Sequence, residues 1–192
     1  MEDKAVNEFF EASSRLLLEC GRRNSSLIQR MATEIIACFE QGGKLLLFGN
    51  GGSASQAQHF AAELVNKLVS YRSALPAVSL TTDTSALTSI ANDLDFSEVF
   101  SRQVEALGRP GDVAWGLSTS GSSANVVKAC SAAKKKGLLT VCFAGEEGSA
   151  LGQVADICLS VPSKDTARIQ EVHLCSGHAV CELVERHFLN KD

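Results

Sequence analysis

The sequence predicts an α/β fold in which helices cover both faces of a parallel β-sheet. Five short apolar runs alternate with helical patterns after the first forty residues, and they read KLLLF, AVSL, DVAWGL, LLTVCF and DICLSV. Continuous apolar runs of this kind are typical of parallel strands that are buried on both faces. A length of 192 residues with 45% hydrophobic content suits one domain with a sizeable core.

Two helical patterns precede the first strand. They extend from about Lys4 to Cys20 and from Ser25 to Gln41, with a break around Gly21 and with Asn24 or Ser25 as the N-cap of the second helix. The first helix has more apolar side chains than a solvent-exposed helix would carry. These side chains are Phe9, Phe10, Leu16 and Leu17. We therefore expect part of this helical pair to pack on another subunit.

The remaining helices separate the apolar runs in a regular alternation, without a long linker or an internal repeat. They are expected from about Ser55, over Asp83 to Asn92, over Ser97 to Leu107, over Ala124 to Lys136 and over Thr166 to Leu189. The sequence thus predicts a single domain over residues 1–192, with helices for oligomer packing in residues 1–41 and the α/β core in residues 42–192.

Composition and charge exclude several classes of function. The formal net charge is −4, and the only extended basic run, Lys134 to Lys136, reads as a solvated helix end before Gly137. This argues against nucleic acid as the main partner. There is no run of eighteen apolar residues and no signal peptide pattern, and the seven cysteines form no C-x-x-C pair. We expect a reduced, cytoplasmic protein without a membrane partner.

Two turns that follow strands and precede helices are candidates for anion binding. The first is GNGGS at positions 49–53, and the second is STSGSSAN at positions 118–125. Glycines let backbone amides approach a ligand, and hydroxyls with helix N-terminal amides can hold a phosphate monoester. Neither turn has the P-loop or the G-x-G-x-x-G pattern. Serine and glycine often only make turns, but two such turns in one parallel sheet favour phosphate.

The helix after the first turn carries His59 and Glu63 four residues apart. They lie about 40° apart around the helix axis and can point into one cleft. Such a pair can bind a metal or move a proton, although an i,i+4 His/Glu pair alone is more often a solvated helix contact. Its position just beyond a phosphate turn strengthens the functional interpretation.

The last helix adds Gln170, His173 and His178 to an otherwise largely apolar segment. Polar groups at depth need partners. Gln170 and His178 lie about 80° apart around the axis, which allows them to converge on one ligand. Each could equally make a core or interface hydrogen bond, and periodicity does not say which histidine is functional. His187, among charges near the chain end, is expected on the surface.

Taken together, these motifs resemble the sugar isomerase (SIS) domain family and, within it, the phosphoheptose isomerases. The resemblance covers nearly the whole chain. It rests on the N-terminal helices and on the segments FGNGGSASQAQHFAAEL, TTDTSALTSIANDLDFSEVFSRQVEALGRPGD, GLSTSGSSANVVKA and DTARIQEVHLCSGHAVCELVE. An ordered set of motifs of this length is highly specific.

The resemblance implies a three-layer, flavodoxin-like sandwich with a five-stranded parallel sheet, assembled as a homotetramer with active sites at subunit interfaces. The implied reaction is the aldose–ketose isomerisation of sedoheptulose 7-phosphate to D-glycero-D-manno-heptose 7-phosphate through an enediol. It would be the first step toward nucleotide-activated heptose, for lipopolysaccharide or another heptose-containing glycan.

The resemblance also implies roles for individual residues. One zinc ion per subunit would be held by the positions matching His59, Glu63, Gln170 and His178, although such a site also accepts manganese or iron. Glu63 would be the base at carbon and His178 the acid and base at the sugar oxygens, with Glu63 and Gln170 also contacting substrate. The other implied substrate-binding positions are Asn50, Gly51, Gly52, Ser53, Asn92, Asp93, Ser118, Thr119, Ser120 and Ser123.

Two questions stay open at the level of sequence. A zinc-bound carboxylate is a poorer base, so Glu63 either leaves the metal during turnover or acts through its second oxygen. The chain also departs from the family pattern at Lys67, where an arginine is expected, and at Glu146 and Glu147 in the loop CFAGEEGS.

A second class of function is a non-catalytic SIS tetramer that binds the replication initiator protein as a scaffold. That relative lacks the residues matching Glu63 and His178. Both are present here, which favours the isomerase.

Overall fold

The computed structural model describes residues 2–189 and contains one five-stranded sheet. The strands are β1 (Leu45–Gly49), β2 (Ala77–Ser79), β3 (Val113–Ser118), β4 (Leu139–Ala144) and β5 (Ile157–Ser160). All neighbouring strands pair in parallel, in the order β2-β1-β3-β4-β5. The predicted fold class and the five predicted strands are confirmed.

Helices cover both faces of this sheet. They are α1 (Glu2–Glu40), α2 (Gly52–Val65), α3 (Thr84–Asp93), α4 (Ser101–Leu107), α5 (Ala124–Lys135), α6 (Ala150–Val154) and α7 (Thr166–Leu189). Among the described residues, no helix combines the length and the apolar character that a membrane span requires.

The predicted N-terminal pair of helices is wrong, because α1 is one continuous helix of 39 residues. Gly21 lies in its interior, where a glycine costs about 1 kcal/mol but does not by itself end a helix. Asn24 is not an N-cap: its Nδ2 donates to the carbonyl of Cys20 at 3.0 Å within the helix. Residues at helical spacing on both sides of Gly21 are buried together, among them Cys20, Ile28, Met31 and Ile35, so core packing carries the helix through the glycine.

Two further boundaries differ from the prediction. The expected helix over Ser97 to Leu107 is split, because a 3-10 turn (Phe96–Glu98) precedes α4, with the Asp95 side chain accepting from the Ser97 amide at 2.8 Å. The short α6, between β4 and β5, is a helix that the sequence analysis does not predict. The basic run ends α5 as predicted, with Lys136 at the C-cap and Gly137 in the left-handed region at φ 78°.

The core on the α1, α2 and α7 side of the sheet is built around Trp115 of β3. Its ring stacks on Phe60 of α2, with ring centroids 5.3 Å apart and an interplanar angle of 19°. The same indole meets the Phe143 ring edge-on at 5.2 Å. All three side chains are fully buried, so this stack fixes α2 rigidly against the sheet.

A glycine sets how closely α7 crosses α2. A Cβ placed at Gly177 would lie 2.0 Å from Cζ of Phe60, well inside van der Waals contact. Phe60 cannot give way, because it is fully buried and stacked on Trp115. The absence of a side chain at position 177 therefore permits the close approach of the two helices. This approach also brings the next residue, His178, close to α2.

We expect Gly177→Ala to destabilise the fold. Overpacking a rigid core contact costs about 2 kcal/mol, which corresponds to a fall in Tm of about 4–8 °C for a chain of this size. Thermal unfolding followed by circular dichroism at fixed protein concentration measures it. The matched control is Gly21→Ala in α1, where a Cβ meets nothing within 4 Å and helix propensity predicts a gain of about 0.5–1 kcal/mol. An unchanged Tm for Gly177→Ala would contradict the close-packing argument.

Candidate active site

The two predicted anion turns meet at the point where the strand order reverses. From the neighbouring strands β1 and β3, the chain continues to opposite sides of the sheet, and this arrangement leaves a crevice at the carboxyl ends of the strands. Asn50 and Asn125 bridge it with a reciprocal amide pair. Nδ2 of Asn50 donates to Oδ1 of Asn125 at 2.8 Å, and Nδ2 of Asn125 donates back at 2.9 Å. The amide pair holds the two turns at a fixed separation.

The first turn leads directly into α2. Gly51 has φ 53°, a left-handed conformation that other residues rarely adopt. Ser53 is buried, and its amide donates to the Asn50 carbonyl at 2.9 Å. Helix α2 thus begins at the crevice, with its positive dipole end and unpaired amides beside the turn.

The second turn brings several hydroxyls together. Oγ of Ser118 donates to Oγ of Ser123 at 3.0 Å and lies 3.3 Å from Oγ of Ser120. Gly121 has φ 63°, and a Cβ there would lie 2.4 Å from the Cβ of Ser149. The groups gathered here are neutral hydroxyls beside the start of α5, and hydroxyls with helix N-terminal amides can bind a phosphate.

A cavity of about 260 Å³ opens beside the second turn. Thr119 and Ser120 line one side of it, and Glu146 and Lys164 line another. Nζ of Lys164 lies 3.9 Å from Oε1 of Glu146 across an exposed gap. Glu147 pairs with Arg23 of α1, so both glutamates of the unusual loop have a basic partner in the structure.

Three titratable side chains converge farther along α2. Nε2 of His59 lies 2.7 Å from Nε2 of His178 on α7 and 3.3 Å from Oε1 of Glu63. One ligand atom from each of the three residues lies within 4.8 Å of the others. Glu63 and His178 are half-buried, and His59 is exposed. The three groups are close enough to hold one metal ion.

The orientation of the two imidazoles limits what this cluster can do. Both histidines direct Nε2 at each other, so in the absence of a cation the Nε2–H of one ring must donate a hydrogen bond to the unprotonated Nε2 of the other. Two converging nitrogens and a carboxylate oxygen are the donor set that a divalent metal shares. The cluster can therefore bind a metal, and it can also move a proton.

Gln170 is the fourth metal ligand that the resemblance implies. It precedes His178 by eight residues, which is about 12 Å along a helix axis. Its side chain lies against the first residue of α2: a Cβ at Gly52 would be 2.5 Å from Nε2 of Gln170. Its backbone carbonyl accepts from Nε2 of Gln56 at 2.7 Å. The structure thus brings Gln170 to the first anion turn, and it stays a prediction as a metal ligand.

The other two histidines have structural partners. His173 is fully buried, its Nε2 lies 3.0 Å from the Ala144 carbonyl, and burial lowers its pKa to about 4. It is therefore a neutral core residue at working pH. His187 contacts Oε1 of Glu40 at 2.8 Å near the ends of α7 and α1.

Asn92 and Asp93 are exposed at the carboxyl end of α3, where Nδ2 of Asn92 donates to Oδ1 of Asp93 at 2.8 Å. Among residues 2–189, no side-chain hydrogen bond or ion pair joins either of them to the two turns or to the three titratable groups.

The sequence pattern does not single out Asn125, although its side chain bridges the two turns. Asparagine is common near the start of a helix, so nothing in the sequence distinguishes this position as functional.

Comparison with known proteins identifies the family of the chain. The SIS domain family model matches residues 8–145. The phosphoheptose isomerase of Thermodesulfovibrio yellowstonii is 50% identical over 185 residues, covering 96% of this chain and 92% of the relative. That of Helicobacter pylori strain P12 is 46% identical over the full length of both chains.

Two solved structures share the whole fold. The phosphoheptose isomerase of Neisseria gonorrhoeae superposes with a TM-score of 0.91 at 42% identity, covering 97% of this chain and 100% of that one. The enzyme of Francisella tularensis gives 0.93 at 34% identity, covering 97% and 99%. On the family match and these relatives, the chain belongs to the SIS domain family.

Proposed function

We propose that this protein is an aldose–ketose isomerase that converts sedoheptulose 7-phosphate to D-glycero-D-manno-heptose 7-phosphate. The observation that carries the proposal is that one helix runs from a glycine-serine turn to a cluster of three titratable side chains. Helix α2 begins at an anion turn and, within two to three turns, presents His59 and Glu63 toward His178. The relatives named above, at 46% and 50% identity, are phosphoheptose isomerases.

The proposed reaction needs two proton transfers. Glu63 removes a proton from C1 of the ketose, the electron pair forms the enediol double bond, and a proton is returned to C2. His178 moves the second proton between the two oxygens, which converts the C2 carbonyl to a hydroxyl and the C1 hydroxyl to an aldehyde. Its Nε2, at 2.7 Å from His59, lies within proton-transfer distance of a partner imidazole.

Binding is proposed to come from the two turns. The phosphate would be held by Ser53, Ser118, Thr119, Ser120 and Ser123, and the sugar by Asn50, Gly51, Gly52, Asn92, Asp93 and Gln170. Support is strongest for the serines, because the hydroxyls of Ser120 and Ser123 both lie within 3.3 Å of the Ser118 hydroxyl beside α5.

The converging donors also fit a zinc ion. We propose that His59, Glu63 and His178 hold it, with Gln170 as a fourth ligand if its side chain leaves Gly52. Two imidazole nitrogens and a carboxylate oxygen are a common protein donor set for Zn²⁺. When bound, zinc supplies Lewis-acid stabilisation for negative charge that develops on the substrate oxygens.

We further propose a cytoplasmic homotetramer with active sites at subunit interfaces, acting in the synthesis of heptose precursors for lipopolysaccharide or a related glycan. Residues 1–41 would contribute to the interface. Helix α1 supports this, because it exposes large apolar side chains at Val6, Phe9, Phe10 and Leu18.

The scaffold alternative is not favoured, since the close approach of Glu63 and His178 to His59 is a chemical arrangement that a scaffold does not require.

The reaction can be followed by proton NMR with sedoheptulose 7-phosphate in D₂O. We expect an aldoheptose phosphate that carries deuterium at C2, because the enediol is reprotonated from a group that exchanges with solvent. A chelator should abolish conversion, and added Zn²⁺ should restore it. Absence of conversion with any divalent metal would reject the isomerase and return attention to the scaffold.

We expect Glu63→Gln and His178→Gln each to lower kcat at least about 100-fold, because each removes a proton-transfer group. Steady-state kinetics on the purified variants measure this, and size-exclusion chromatography should show an unchanged assembly. His187→Gln, at the surface of the same helix as His178, is the matched control and should keep kcat within about twofold. Near-normal turnover by either site variant would reject its role.

The assembly has a direct test. Light scattering coupled to size-exclusion chromatography should give four chain masses. Phe10→Glu should shift the mass downward, because it places a charge on a side chain that is 68% exposed in the single chain and buried in the proposed interface. A monomeric wild-type protein would contradict the tetramer.

A further inference from the structure

Residues 66–76 connect the end of α2 to strand β2 without regular secondary structure. We call this segment the strap. Its outer residues are exposed, including Val69 and Tyr71, and Nζ of Lys67 lies 3.7 Å from the Tyr71 ring centroid. Exposed connections are usually mobile. The strap, however, is held in place by the hydrogen bonds of two charged side chains.

The first of these is Glu185 of α7. Its carboxylate accepts hydrogen bonds from three successive strap amides, from Leu68 at 2.8 Å, Val69 at 2.8 Å and Ser70 at 3.0 Å. Glu185 is only 2% exposed. Burial by itself raises the pKa of this carboxyl, but the three amide bonds and the nearby Arg72 hold the pKa below its usual value. The strap is therefore folded around a buried anion.

The second charged side chain is that of Arg72, which belongs to the strap itself. Its Nη2 donates to the backbone carbonyl of Glu63 at 2.9 Å, and its Nη1 donates to the carbonyl of Ser73 at 2.8 Å. Burial lowers the pKa of Arg72, and the charge of Glu185 opposes that shift. The guanidinium thus ties the strap to the last turns of α2 at the residue that bears the proposed base.

Glu185 and Arg72 therefore connect the two helices that carry the titratable cluster. Glu185 follows His178 by seven residues, two turns farther along the same helix. On α2, Oε1 of Glu63 lies 3.3 Å from Nε2 of His59, and that nitrogen lies 2.7 Å from Nε2 of His178 on α7.

We infer that Glu185 and Arg72 are positioning residues, which hold Glu63 and His59 on α2 at a fixed distance from His178 on α7. Neither residue belongs to the proposed substrate-binding or metal-binding sets, and both act through the strap. The inference rests on the proposed function for its effect on turnover, but its effect on metal binding and on strap protection does not depend on which sugar is the substrate.

The test compares wild type with Glu185→Gln, which keeps the shape of the side chain but turns an amide NH₂ toward a backbone donor. We expect kcat to fall about tenfold with KM within twofold, as for residues that orient ligands from outside the ligand set. The affinity of the chelator-treated chain for Zn²⁺, by titration calorimetry, should fall about tenfold. Hydrogen exchange should show loss of amide protection at residues 68–70.

Two further variants make the outcome decisive. Glu182→Gln, on the same helix and paired with Arg186 at the surface, is the matched control and should leave all three measurements within twofold of wild type. Arg72→Lys keeps the charge and the three amide bonds to Glu185 but loses the forked donor, and it should also lower kcat with KM unchanged. If Glu185→Gln does not fold, Arg72→Lys alone decides.

The inference is overturned if Glu185→Gln and Arg72→Lys keep wild-type kcat and Zn²⁺ affinity. It is also overturned if KM rises while kcat and Zn²⁺ affinity are unchanged, since that result would make the strap a substrate contact. An inactive wild type would instead reject the proposed function, and the calorimetry and exchange measurements would still test the positioning role.

Discussion

The close crossing of α2 and α7 is the constraint on which the candidate site depends. The two Nε2 atoms of His59 and His178 are 2.7 Å apart, and they can meet only because α7 has no side chain at Gly177 where it passes Phe60. Phe60 is held in turn by its stack on Trp115 in the middle of the sheet. The packing of the core, in which side chains have little freedom to move, therefore determines the distances between the titratable groups.

The proposed phosphate-binding end of the site depends on a hydrogen-bonded pair of asparagines between the two turns. At a switch point of a parallel sheet, two loops come together by topology alone, whatever their sequence. Here the reciprocal amide pair of Asn50 and Asn125 fixes their separation, and α2 and α5 both start beside the crevice. Neutral donors suit this end, because a dianion held by hydroxyls, amides and helix dipoles can also be released.

The predictable features are those that depend on local pattern. Apolar runs gave all five strands, and an i,i+4 pair correctly placed His59 and Glu63 on one face. One error has a tertiary cause: α1 continues through Gly21 because burial on both sides outweighs the local cost. The Gln170 side chain lies against Gly52, and its role as a metal ligand stays a prediction. The contacts of Asn125 and Glu185 join residues 75 and about 116 positions apart, and no sequence period encodes such pairs.

In the proposed site, α2 joins the phosphate-binding turn to the proton-transfer groups, so the length of the substrate becomes a selection criterion. Ser53 and His59 are six residues apart, about 9 Å along the helix, so a sugar phosphate must extend over that distance to reach the serine-lined turn and the titratable groups together. A rigid helix does not shorten to suit a smaller ligand, and its far end is tied to α7 by Arg72 and Glu185. In the proposed reaction the energy of binding the phosphate is thus used to place the reacting carbons, because the rise of the α-helix sets the distance between the anion turn and the proton-transfer groups.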